Sequence, residues 1–225
     1  ERDAVGNWSS SGSSTIVIDN TAPTVTLTDD HSDLRVKDAD NVVITATFND
    51  NMTSAPTISI DVAVGTDADI SATAMSGSGT TWTYTFDVPS GHDGNATVTV
   101  AGTDVAGNAY AGSDTIVYII DNTAPNVTLT DDHSDLKVKD ADNVVITATF
   151  DESMTSAPTI SIDVAVGTDA DISATAMSGS GTTWTYTFDV PSGHDGNATV
   201  TVAGTDVAGN AYAGSDTIVY IIDNT

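Results

Sequence analysis

Cysteine is absent from the 225 residues, so neither disulfide bridges nor thiolate metal sites are available. Positive charge is scarce. Five Lys and Arg face 32 Asp and Glu, for a formal net charge of −27. That balance excludes nucleic acid as a partner, because phosphate binding needs the opposite sign. It excludes direct contact with an anionic membrane surface for the same reason. Long apolar runs are missing as well: the longest, Ile116–Ile120, falls far short of the roughly 20 residues of a membrane span. Glutamate occurs only at Glu1 and Glu152 and leucine only twice per repeat, while Thr, Val and Ile dominate, which disfavours helix and favours strand.

The chain repeats itself. TAPTVTLTDDHSDLRVKDADNVVITATF, starting at Thr21, returns as TAPNVTLTDDHSDLKVKDADNVVITATF, starting at Thr123, an offset of 102 residues. Between 21–122 and 123–224 five positions differ: Thr24/Asn126, Arg35/Lys137, Asn49/Asp151, Asp50/Glu152 and Asn51/Ser153. Residues 1–20 read as the tail of a preceding copy, since Asp3-Ala4-Val5-Gly6-Asn7 matches Asp104-Val105-Ala106-Gly107-Asn108 and TIVIDN matches the end of IVYIIDN after a one-residue gap. The expected domains are therefore 1–20, 21–122 and 123–225. A unit of about 100 residues can bury its own core. Near-identical tandem copies suit a spacer, whose reach grows with copy number.

Within each repeat apolar residues alternate with period two, a strand signal. Val25 and Leu27, then Ile44, Ala46 and Phe48, then Ile58, Ile60 and Val62, then Ile70, Ala72 and Ala74 all read as inward-facing. Trp82, Tyr84, Phe86 and Val88 form the largest apolar row, and Val98 and Val100 follow. Seven strands are expected in the first repeat, over 24–29, 42–49, 57–62, 69–75, 81–88, 96–103 and 114–120. Turn residues separate them, Ser-Gly-Ser-Gly among them. The expected fold is all-β: tandem seven-stranded Ig-like sandwiches arranged end to end. A closed barrel is less suitable, because the first and last strands must leave at opposite poles.

Strands that alternate up and down sort their loops onto two poles. Those after the first, third and fifth strands lie at the C-terminal pole; those after the second, fourth and sixth lie at the N-terminal pole. Asp29, Asp30, Asp33, Asp38 and Asp40 fall in or beside the first loop, Asp67 and Asp69 in the third and Asp93 in the fifth. Asp50 falls in the second loop, Asp104 and Asn108 in the sixth, and Asp121-Asn122 in the linker. An acidic surface spread for solubility would decorate strand faces, yet those faces carry Thr and Ser. Asp also initiates turns, which accounts for single positions but not for the gathering at poles. Carboxylates about 5 Å apart repel by a few kcal/mol at an effective dielectric near 20. Short oxygen ligands held on loops suit calcium, which takes six to eight oxygens.

The candidate metal ligands at the first junction are thus Asp19, Asp50, Asp104 and Asn108. At the second they are Asp121, Asn122, Asp151, Glu152, Asp206 and Asn210. Asp38, Asp40 and Asp93, with Asp140, Asp142 and Asp195 one repeat later, are placed to reach a junction from the C-terminal pole. The proline of the Asp-Asn-Thr-Ala-Pro linker restricts swivel before any ion binds.

Three motifs together, Asp-Asn-Thr-Ala-Pro at the start, Phe-Asp-Glu after the second strand and Asp-Val-Ala-Gly-Asn before the last, resemble the bacterial Ig-like repeats of giant surface adhesins, including RTX-type, type I-secreted biofilm and ice-associated ones. The linker also looks like a cadherin junction, where Asp and Asn between domains ligate calcium. The resemblance implies an extracellular, calcium-rigidified extender on a bacterial cell surface, a monomeric rod whose partners are adjacent repeats and which projects a distal binding module. In the first repeat the motif reads Phe48-Asn49-Asp50, with a shorter acid.

An enzyme is not expected: no Ser or Cys nucleophile pairs with His31 or His92 in a recognisable motif. A zinc site from His31, His92 and Asp93 is a conceivable alternative. A carbohydrate-binding or homophilic adhesion module is the other, and it requires an exposed aromatic or apolar loop patch. Tyr110 and Met52 are the only candidates for that patch.

Overall fold

The computed structural model describes residues 2, 4–8, 10–63, 68–165 and 170–225; Asp3 and Asp67 lie outside them. The first repeat forms β1 (Val25–Asp29), β2 (Arg35–Val36), β3 (Asn41–Phe48), β4 (Thr57–Val62), β5 (Ile70–Ala74), β6 (Ser76–Ser78), β7 (Thr81–Asp87), β8 (Gly94–Ala101) and β9 (Ile116–Ile120). The second repeats this order as β10 (Val127–Asp131), β11 (Lys137–Val138), β12 (Asn143–Phe150), β13 (Thr159–Val164), β14 (Ile172–Ala176), β15 (Ser178–Ser180), β16 (Thr183–Asp189), β17 (Gly196–Ala203) and β18 (Ile218–Ile222). No helix is long and apolar enough to cross a membrane.

Each repeat is a sandwich. One sheet has the order β1-β3-β7-β6, the other β2-β9-β8-β4-β5, and the second repeat copies both. Alternation creates the core: in β3, Val42, Ile44, Ala46 and Phe48 are all at most 2% exposed, while Thr45 and Thr47 turn outward to lie across from Thr83 and Thr81 of β7. Ile58, Ile60 and Val62 of β4 face Trp82 and Phe86 of β7 within one buried cluster. Such a two-sheet arrangement buries period-two apolar rows without any disulfide.

Nine strands form where seven were expected. The loop after β1 is drawn back along the sheet by Val36, which is fully buried, so that Arg35–Val36 pairs in parallel with Ile119–Ile120. The Ser-Gly-Ser-Gly stretch, expected as a turn, supplies β6, whose tight connection to β7 uses Gly79 at a φ of 64°. Gly77 is required just before it: a Cβ there would stand 2.3 Å from the Thr81 carbonyl oxygen.

Two other expectations fail. Ala72 and Ala74 are exposed, because β5 is a sheet edge whose register against β4 shifts between Ile58 and Ile60, and the bulge breaks the alternation. Met52 is 7% exposed, packed in the core, and Tyr110 stands edge-on to Phe48 with ring centroids 6.1 Å apart. Neither offers a loop patch. Among the described residues, the large apolar side chains that do face solvent in the first sandwich are Leu34, Val105, Val117 and Ile119.

Candidate metal centre at the inter-repeat junction

The loops sort as alternation demands. At the N-terminal pole of the first sandwich, the Met52 amide donates to Gly79 O, the Val105 amide to Asn51 O, and Met52 bridges Asp104. At its C-terminal pole, the Val88 amide donates to Asp40 O and the Asp121 amide to Val36 O. The linker thus leaves beside one set of loops and arrives beside the other.

Two groups of three carboxylates result. Asp19, Asp50 and Asp104 bring an oxygen each to within 4.8 Å of one another, and so do Asp121, Glu152 and Asp206. Asp104 and Asp206 are 1% and 0% exposed, the only charged residues buried so completely among those described. Both are held by the loop that follows them: the Asn210 amide donates to Asp206 Oδ1 at 2.8 Å and the Asn210 Nδ2 to Oδ2 at 2.9 Å. Asn108 holds Asp104 in the same way at 2.8 and 2.9 Å. Burial works to raise the Asp104 pKa, but the side-chain amide of Asn108 and the backbone amides of Asn108, Gly107 and Ala106 outweigh it and keep the group below its ordinary value. The same asparagines reach the linker, Asn108 Nδ2 donating to Asp19 O at 3.2 Å and Asn210 Nδ2 to Asp121 O at 2.8 Å.

Glu152 is where the like charge accumulates. Burial, then the carboxylates of Asp121, Asp206 and Asp151, push it up to about 7. No cationic side chain relieves this among the described residues, whose ion pairs are all His–Asp contacts at 3.8 Å. The donor set is oxygen throughout, which fits a hard divalent ion such as calcium and is a poor match to zinc. Histidine is not part of either group: His31 meets the Asp33 carbonyl at 2.8 Å and lies 3.8 Å from Asp40, while Asp93 is taken up by the linker.

The remaining candidates are placed elsewhere. Asp151 turns away from its neighbour Glu152 and accepts the Asn126 amide and Nδ2 at 2.8 and 2.9 Å, which holds its pKa down. In the first repeat the same positions keep the same roles, the Thr24 amide donating to Asn49 Oδ1 at 2.7 Å, without the second bond that the Asn126 side chain adds. Two of the five sequence differences are therefore one contact changed at both ends. Asp38, Asp40 and Asp93 spend oxygens or amides on their own pole. The Lys37 amide donates to Asp40 Oδ2, and the Asn122 amide donates to Asp93 Oδ1 at 2.6 Å. Asp140, Asp142 and Asp195 do likewise with Asn224 and Lys139.

Asn122 serves as a latch. Its Oδ1 accepts the Asp38 amide at 2.5 Å, and its Nδ2 donates to Pro89 O and His92 O at 3.1 and 2.6 Å. Asn224 repeats all three contacts. Sequence reasoning named Asn122 as a ligand and did not foresee this role; the signal was the recurrence of Asp-Asn at every linker. Replacing Asn122 with Asp sets a carboxylate against two carbonyls and is expected to cost about 1–3 kcal/mol of stability in the first sandwich. Thermal unfolding of N122D beside N122A measures it, and the aspartate is expected to be the worse of the two.

A family model for the bacterial Ig-like domain, group 3, matches residues 80–225. Among solved structures, a tetra-tandem repeat from the extending region of a large adhesion protein is 24% identical, with a TM-score of 0.41 over 92% of this chain and 50% of that one. The chain thus spans half the length of that structure. The titin domains Z1Z2, solved in complex with telethonin, are 13% identical with a TM-score of 0.31, over 92% of this chain and 98% of theirs. No curated protein matches the sequence.

Proposed function

The chain belongs to the bacterial Ig-like domain family, group 3, and from that premise we propose that it is an extender segment of a large bacterial surface adhesin, non-enzymatic and stiffened by calcium at its junctions. The observation that carries the reading is the group Asp121, Glu152 and Asp206, drawn from the linker and from two loops of the following sandwich. An ion held by Asp121, Glu152 and Asp206 would tie the linker to that sandwich, while Asn122 ties the same linker to the preceding one. Orientation is then transmitted through two consecutive residues.

Calcium would supply the positive charge that no ion-paired side chain brings to this carboxylate group. The protein's own residues do the rest: Asn210 orients Asp206 and grips Asp121 O, and Asp121 Oδ1 accepts the Thr123 amide at 3.1 Å, which sets the linker's turn. Extracellular modules bind calcium at about 0.1–1 mM, so the segment would be loosely jointed at low calcium and rigid outside the cell. An RTX-type, type I-secreted parent protein at the bacterial cell surface fits such a switch. Each sandwich spans roughly 40 Å, from strands at about 3.3 Å per residue plus loops. Small-angle scattering tests the proposal: calcium is expected to narrow the shape distribution toward a straight rod and chelator to broaden it. An identical maximum dimension in both conditions overturns it.

A further inference from the structure

The junction also contains a contact that needs no ion. Lys37 of the first sandwich donates from Nζ to the carbonyl of Gly209 in the second, 172 residues away, at 2.5 Å. Its donor is pre-placed. The Lys37 amide donates to Asp40 Oδ2 at 2.9 Å and its carbonyl accepts the Asp40 amide at 3.0 Å, across a turn that holds Ala39 at a φ of 76°. An alanine in the left-handed region is sparsely populated and persists only where its surroundings enforce it. The acceptor is pre-placed as well. Gly209 has a φ of 91°, and a Cβ there would lie 3.4 Å from Lys37 Cε, so the lysine stem packs against the glycine itself.

The two copies of the Asp-Val-Ala-Gly-Asn loop serve as an internal comparison. In the second sandwich, Val207, Ala208 and Gly209 are half-buried, and Lys37 of the first lies against Gly209. In the first sandwich, the same loop has Val105 68% exposed, with Ala106 and Gly107 open, and nothing within 4 Å of a Cβ at Gly107. The same loop sequence is thus the more buried in the copy that has Lys37 beside it. At the other end of the chain, Lys139 is the counterpart of Lys37 and borders an open groove of about 610 Å³ with His133, Asp142 and Asp223.

We propose that the Lys37 pole and the Asp206–Asn210 loop form a docking pair between consecutive sandwiches, fastened by the Lys37–Gly209 bond and independent of metal. The lysine places a cation and an aliphatic stem against a loop that offers a bare glycine carbonyl and a valine, so sandwiches of this same kind are the partner it recognises. The docking pair holds residual alignment when the carboxylate group is metal-free, and the ion then adds to it.

The chain's lack of cysteine makes the test clean. Spin labels at Thr85→Cys and Thr187→Cys, both exposed strand positions, report the inter-sandwich distance distribution in the full chain under chelator. K37M is expected to lower the ratio of docked to undocked forms about fivefold, a charge-assisted bond discounted for partial exposure. K37R is expected to restore most of it, and K139M, whose groove faces no sandwich here, to leave it unchanged. Circular dichroism confirms that the variants fold. A K37M distribution equal to wild type overturns the proposal, and so does a K139M distribution as broad as that of K37M. Because every arm is metal-free, failure of the calcium reading leaves the result intact.

Discussion

Replacing Asp121 with alanine is expected to remove most of the calcium-dependent stability at the second junction while leaving the metal-free protein almost unchanged. The wild-type group gathers Asp121, Glu152 and Asp206 with no ion-paired cation among the described residues. An ion that binds this arrangement and not the unfolded chain stabilises the fold by mass action. With dissociation constants of about 0.1–1 mM, 10 mM calcium contributes about 1.4–2.7 kcal/mol per site. Under chelator D121A loses the turn bond to Thr123 and its side-chain hydrogen bond with Glu152 but sheds a repelling charge, so its stability stays within about 0.5 kcal/mol of wild type. Calorimetric titration and thermal unfolding, each with calcium and with chelator, decide the matter. Equal calcium responses from D121A and wild type would mean that the ion, if bound, sits elsewhere.

The second large effect is a pH dependence that calcium reverses. Glu152 is pushed up to about 7 in the folded chain, first by burial and then by its carboxylate neighbours, against about 4.3 when unfolded. Between those values the folded state binds more protons than the unfolded one. The associated stability is therefore fully present below about pH 4.3 and is lost as the pH rises through 7. Discounted for solvent screening, the loss is about 1–2 kcal/mol in chelator. E152Q is expected to flatten that slope, as read from urea unfolding at several pH values. Calcium favours the ionised carboxylate, so binding at pH 6 expels close to one proton and affinity climbs toward neutrality. Titration calorimetry in two buffers of different ionisation enthalpy counts the proton. Proton-neutral binding at pH 6 would contradict the placement of Glu152 in the group.

Both effects depend on residues that lie far apart in the chain. Asp121 and Asp206 are 85 positions apart, yet pole assignment by strand alternation was enough to predict that they meet. That logic worked because β-strand periodicity is strict: once Ile44, Ala46 and Phe48 face inward, the chain direction and the pole of each loop follow. The offset of 102 residues then carried every assignment from one repeat to the next.

The amino-acid sequence by itself determined the tandem organisation, the all-β character, the inward rows and the sorting of acidic loops onto poles. Each of these follows from period-two burial and from copying. Only the tertiary structure decided which of two adjacent acids, Asp151 or Glu152, joins the group, that Asn122 latches the linker to Pro89 and His92, that Arg35–Val36 pairs with the last strand, and that Lys37 meets Gly209. Those outcomes are settled in loops, where amides, carbonyls and carboxylates compete for one another at close range and no periodicity constrains the winner.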